Sequence, residues 1–210
     1  MTTATEVQLR TRAVQEPLKA RQVRDLLKHP DLRARLGRRD AALISVLVGG
    51  GLRIGECCRL TVDAVEVDRG VTRITTRTSK RRDGHYRQVT LAPQAARLLR
   101  LYLERDRPTF WLFEGRRHEH LSTSAGRRAV CGHLRAIGAG WAHAHTLRHT
   151  FCSLLMRESH DLYLVQLCAG HASPVTTAKA YLHYDQDQID KAAGFLAGAI
   201  NPRGGRGLRS

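Results

Sequence analysis

Apolar residues recur at helical spacing along most of the chain, with one stretch where the period falls to two. Val23, Leu26 and Leu27 predict a helix over Lys19–His29, and a continuous apolar stripe predicts a second over Arg39–Val48. Gly49, Gly50 and Gly51 interrupt that stripe before LRIGECCRL, which resumes as a short helix. From Val71 to Arg77, and again from Tyr86 to Leu91, side chains alternate, so this region reads as a β-hairpin with the charged tip SKRRDGH. Helical spacing returns in Pro93–Glu104 (Ala96, Leu98, Leu99, Leu101, Leu103), and Phe110–Phe113 is an apolar run suited to a core. Ser122 or Thr123 caps a helix through Ile137, which Gly138 and Gly140 end. Leu147, Phe151, Leu154 and Leu155 mark the next helix, and Asp161–Ala169 the one after, stopped at Gly170. Ser173 and Pro174 then serve as cap and first position of a helix carrying Tyr181 and Tyr184, and Ile189–Ile200 suits one more. The pattern predicts one mainly helical domain with a small antiparallel β-sheet.

Length and composition sharpen this. A chain of 210 residues supports one well-buried domain. We read residues 1–16 as a mobile basic arm, 17–200 as the domain and 201–210 as a Gly/Arg-rich tail. The formal charge of +16, from 35 Lys and Arg against 19 Asp and Glu, favours a polyanionic partner. Charge alone leaves ribosome-associated and acidic-membrane roles open. No apolar run approaches a bilayer span and MTTATEVQLR lacks a signal-peptide core, so a cytoplasmic protein with no membrane partner is expected. The five cysteines form no CxxC, and four sit in apolar-periodic helices, as reduced, buried residues would. Cys131, His133, His143 and His145 have spacings that suit zinc, but Cys131 and His133 stand two apart on a helix and face apart. No metal or other cofactor is expected.

The chemistry concentrates between Ala144 and Tyr184. His145 and Arg148 stand three apart at a helix start and project from one face, where they can meet a phosphate. His171 follows the helix stop at Gly170. Arg53 lies behind the three glycines, close to a helix N-terminus whose free amides favour an anion. Arg77, Lys80, Arg81 and Arg82 crowd the hairpin tip, as a solvated turn or as a group entering a DNA groove. Arg127, Arg128 and Arg135 can follow a DNA backbone from their helix or remain solvated.

HTLRH, then Gly170–His171, then Tyr181 or Tyr184 form an ordered set that resembles the active-site core of the tyrosine recombinase (phage integrase) family. GLRIGE resembles that family's first catalytic-arginine motif, and WLFEGRR its LF-then-Gly turn, so the resemblance covers roughly residues 17–198. It implies the fold of the DNA breaking-rejoining enzymes and a site-specific recombinase that works through a 3′-phosphotyrosyl intermediate. By the same resemblance, Arg53 and Arg148 clamp one phosphodiester, Glu56 supports Arg53, His171 adds a hydrogen bond and His145 is general base or proton relay. The family's hairpin lysine is the general acid. Its usual place is Arg77 here, and because arginine is a poor proton donor Lys80 takes the role. The nucleophile usually lies about nine residues after the glycine-histidine, which is Ala180; Tyr181 is one position further, a turn of about 100 degrees on a helix, and Tyr184 four further. Tyr181 is our choice, with an extra loop residue near Ser173 and Pro174 absorbing the offset. The implied partners are double-stranded DNA and a homo-tetramer on that DNA; most members carry a separate N-terminal clamp domain, and here either the catalytic domain acts alone or an accessory DNA-binding protein takes that place. A noncatalytic DNA-binding regulator and a type IB-like topoisomerase share enough of these features to stand as alternatives.

Overall fold

A computed structural model describes residues 16–77, 86–115 and 119–170. The expected helices after Gly170, the terminal arm and tail, and the hairpin tip at 78–85 lie outside the described residues.

The core forms around α2 (Arg35–Gly50), in which every residue from Ala41 to Val48 is buried. A helix that is apolar all round belongs at the centre of a domain, and α2 is packed by α4 (Pro93–Asp106) and α6 (Ala144–Ser159), with α1 (Ala20–Lys28) also against it. The glycine run is part of this arrangement. Gly49 and Gly50 complete α2, and Gly51 is its left-handed cap at φ 64°, donating its N–H to the Leu47 carbonyl at 3.1 Å. A Cβ on Gly49 would meet the Ala95 Cβ at 2.5 Å, so the glycine allows α2 and α4 to approach closely. The expected interruption therefore falls at Gly51 alone, and the helix starts earlier than Arg39 because Arg35–Arg38 continue its hydrogen bonding.

After α3 (Ile54–Cys58) and a short 3₁₀ turn comes β1 (Val65–Asp68), which pairs antiparallel with β2 (Val71–Arg77). Arg69 and Gly70, both at positive φ, close this tight turn. β2 pairs with β3 (Tyr86–Thr90), from Arg73 opposite Thr90 to Arg77 opposite Tyr86. The predicted hairpin is thus the larger part of a three-stranded sheet in the order β1-β2-β3. Ile74 and Val89 turn one face of it into the core.

Of the Phe110–Phe113 run, Leu112 and Phe113 are fully buried, whereas Phe110 is 61% exposed and only the second half is core. Ser122 is the cap of α5 (Thr123–Ala136), accepting from the Ala125 N–H at 3.2 Å. His143 caps α6 and so fixes where that helix begins. Asp161 caps α7 (Leu162–Ala169), which ends at Gly170 with φ 63°. Cys57, Cys58 and Cys152 are buried; Cys131 and Cys168 are partly exposed, which corrects their expected burial, and all five are free thiols. Among the described residues, no helix is long and apolar enough to cross a membrane.

Candidate active site

The chain crosses from α2 into α3 through Gly51, Leu52 and Arg53. Leu52 is buried, which anchors the segment and leaves Arg53 at the N-cap of α3 with its side chain 22% exposed. From the other side, α6 presents His145 and Arg148. Thr146 and Leu147 between them are buried, so the helix is fixed in rotation.

These elements enclose an open cavity of about 600 Å³, lined by Arg53, Arg59, Arg127, Arg148, His143 and His145 among others. Its lining holds four arginines and one carboxylate, Glu56. Arg148 is held hardest, with 2% exposure and donations from Nη1 to the Gly51 carbonyl and from Nη2 to the Ala169 carbonyl, both at 2.5 Å. Those two bonds join the end of α2, the start of α6 and the last turn of α7. Burial, with Arg53 nearby, lowers the Arg148 pKa to about 10. Loss of solvent around part of the His145 ring, then Arg148, His143 and Arg53, lower its pKa as well, although the residue as a whole is exposed. Cations held this close without equal negative charge form a site prepared for an anion.

Glu56 arranges the cluster. Its Oε2 accepts from the Arg53 backbone N–H at 2.9 Å and its Oε1 from Arg53 Nη1 at 2.7 Å. Burial pushes this carboxyl up, but the hydrogen bonds from Arg53 and the charges of Arg87 and Arg53 outweigh it and leave the pKa below its ordinary value. Arg87, on β3, donates Nη2 to Glu56 Oε2 at 3.2 Å and Nη1 to the Cys168 carbonyl. Sequence reasoning missed Arg87. Its signal was phase: Arg87 lies on the strand face that carries buried Val89.

A second cavity, of about 810 Å³, shares Gly55, Glu56 and Arg59 with the first and extends to Arg77 and Tyr86 at the end of the sheet. Of the predicted residues, Arg53, His145, Arg148 and Arg127 therefore share the first cavity, and Arg77 lies along the second. Arg128 is exposed on α5 and lines neither. Lys80, Arg81, Arg82, His171, Tyr181 and Tyr184 lie outside the described residues. The Cys131 and His133 pair does separate: Cys131 lines the first cavity, whereas His133 meets His29 Nδ1 at 2.8 Å and Asp40 at 3.3 Å. Among the described residues no three His, Cys, Asp or Glu side chains gather as a metal site.

A sequence profile of the phage integrase family matches residues 16–188, most of the chain and both halves of this cavity. The chain belongs to the phage integrase family. It is similar to the tyrosine recombinase XerD of Pseudomonas putida, with 32% identity over 191 residues covering 87% of this chain and 60% of that protein. Tyrosine recombinase XerC of Pelotomaculum thermopropionicum is 29% identical over 182 residues, covering 81% of this chain and 58% of the relative. The fold matches the XerH site-specific recombinase solved bound to its difH substrate, with a TM-score of 0.74 and 25% identity over 87% of this chain and 55% of that one. The chain thus spans under two thirds of the length of these integrase-family relatives, and the fold it shares with the solved recombinase is mainly helical with a small antiparallel sheet.

Proposed function

We propose that this chain cleaves and rejoins DNA strands as a site-specific tyrosine recombinase. The observation that carries the reading is the convergence of Arg53 and Arg148, from distant parts of the sequence, with His145 on one cavity whose lining is strongly cationic. One phosphodiester supplies the missing charge. Arg53 and Arg148 hold its non-bridging oxygens and offset the charge that grows in the pentavalent transition state. His145, whose pKa is lowered in the free protein, accepts the phenol proton as Tyr181 attacks phosphorus in line. A P–O bond forms to the tyrosine, the bond to the 5′ oxygen breaks, and Lys80 protonates the leaving oxygen. His171 hydrogen bonds to the phosphoryl group. The bond energy is kept in the 3′-phosphotyrosyl link, so rejoining to another strand requires no nucleotide.

Double-stranded DNA is the substrate, tracked by the arginines of the two adjoining cavities, Arg127, Arg59 and Arg77. Arg81, Arg82 and Arg128 add backbone contacts, and a homo-tetramer brings two duplexes together. A noncatalytic regulator is the second reading, favoured by Arg77 in the usual lysine place and by the one-residue offset of Tyr181. Suicide substrates with a nick beside the cleavage point separate the two. The recombinase reading expects a covalent protein–DNA band on a denaturing gel that disappears in Tyr181→Phe and persists in Tyr184→Phe. Tight, salt-sensitive duplex binding with no covalent band in the unmodified chain leaves the regulator.

A further inference from the structure

Arg87 is absent from the lining of both cavities, yet it reaches the same carboxylate that holds Arg53. Its side chain is 9% exposed, and its stem fills the space left by Gly170, where a Cβ would lie 2.7 Å from Arg87 Cδ and Nε. The buried Nε has no hydrogen-bond partner among the described residues. Burying a guanidinium costs several kcal/mol before any pairing, and an orphaned N–H adds to that. For stability alone, a packed apolar side chain serves better on this face of β3. A local departure of this kind points toward function.

The electrostatics supply the function. A carboxylate paired with a single arginine orients it and also cancels the charge that a phosphate must feel. Glu56 instead lies between two arginines, at 2.7 Å from Arg53 Nη1 and 3.2 Å from Arg87 Nη2, so the three groups together keep a positive charge. We infer that Arg87 is a positioning residue that shares the charge of Glu56, so that Glu56 can fix Arg53 without neutralising it. Its second donation, to the Cys168 carbonyl, ties the strand after the hairpin turn to the end of α7, three positions before His171. This role rests on the phosphoryl-transfer reading above.

A double-mutant cycle on the full chain tests it, with Arg87→Met, Glu56→Gln and their combination, each checked by thermal unfolding. Two readouts are taken: the dissociation constant for inorganic sulfate, from arginine side-chain NMR shifts, and the single-turnover rate of adduct formation on nicked duplex. Arg87→Met weakens sulfate binding about tenfold, because Glu56 then offsets Arg53 in full, and adding Glu56→Gln recovers most of that loss. Arg87→Lys, which keeps the charge without the fork, stays within about threefold of the parent chain. A merely structural role gives two losses that multiply, and a lysine variant impaired as badly as the methionine one; either result overturns the assignment. If Arg87→Met does not fold, the lysine variant decides alone, a tenfold loss of sulfate affinity counting against the proposal. The sulfate arm needs no cleavage. A recovered cycle with no adduct in the parent chain defeats the recombinase reading and leaves Arg87 assigned, whereas adduct formation with multiplying losses does the reverse.

Discussion

Arg148 Nη1 donates to the carbonyl oxygen of Gly51 at 2.5 Å, joining positions 97 residues apart. The bond shows how an almost fully buried arginine is held at the wall of an open cavity: two backbone carbonyls fix its fork while the cavity opens beside it. Arg148→Ala leaves both carbonyls without this donor, so we expect a loss of about 2–4 kcal/mol in stability, read as a lower urea midpoint, together with loss of cleavage. Arg148→Lys keeps a charge but cannot fork between two acceptors, and is expected to unfold at an intermediate midpoint with cleavage still lost. An alanine variant as stable as the parent chain contradicts the structural half of this account.

Gly51→Ala tests the same junction from the backbone side. At φ 64° a side chain is strained, and the new Cβ would lie 2.2 Å from Phe151 Cδ1, so Phe151 or the segment must move. The left-handed conformation alone costs about 1–2 kcal/mol, and displacement of the Gly51 carbonyl loosens Arg148. Denaturant unfolding should show at least that loss, and DNA cleavage should fall by more than DNA binding does. Equal falls in both mean that the junction does not aim Arg148.

The His145 titration gives a pH signature with a definite sign. Loss of solvent and the neighbouring cations hold its pKa below the ordinary histidine value in the free protein. A bound phosphate offsets Arg148 and Arg53, so the pKa rises on binding. Between the free and bound values the complex takes up a proton, and affinity rises as pH falls through that window. Histidine NMR titrations with and without sulfate measure both values. A His145 pKa unchanged by saturating sulfate removes it from the phosphate site.

Arg127 and Arg128 were equivalent in the sequence, and the cavity distinguishes them. Arg127→Ala is expected to lower the slope of log affinity against log salt by about 0.9, the loss of one phosphate contact, and to slow cleavage. Arg128→Ala should leave the cleavage rate at saturating DNA unchanged. Reversal of these two outcomes places the DNA on a different face of α5.

Periodicity carried most of the fold because the helices have long apolar stripes, and α2 is legible by composition alone. β1 escaped because four residues, VEVD, with one partly buried position provide almost no pattern. The glycine run was misjudged for a physical reason: two of its members are inside a helix, excluded from larger side chains by Ala95 and Leu91 across the packing interface, which a sequence does not display. That Arg53, His145 and Arg148 share one cavity was legible through motif spacing. Arg87 was hidden because its partners, Glu56 and the Cys168 carbonyl, lie 31 and 81 residues away and meet it only in three dimensions.

The most direct measurement is mass spectrometry of the peptide that remains attached to DNA after the parent chain is trapped on a nicked suicide duplex and digested. The account predicts a single nucleotide-bearing peptide modified at Tyr181, and no modified peptide from an Arg53→Ala variant that still binds the duplex. A parent chain that binds the same duplex without modification, or an Arg53→Ala variant modified to the same extent, contradicts it.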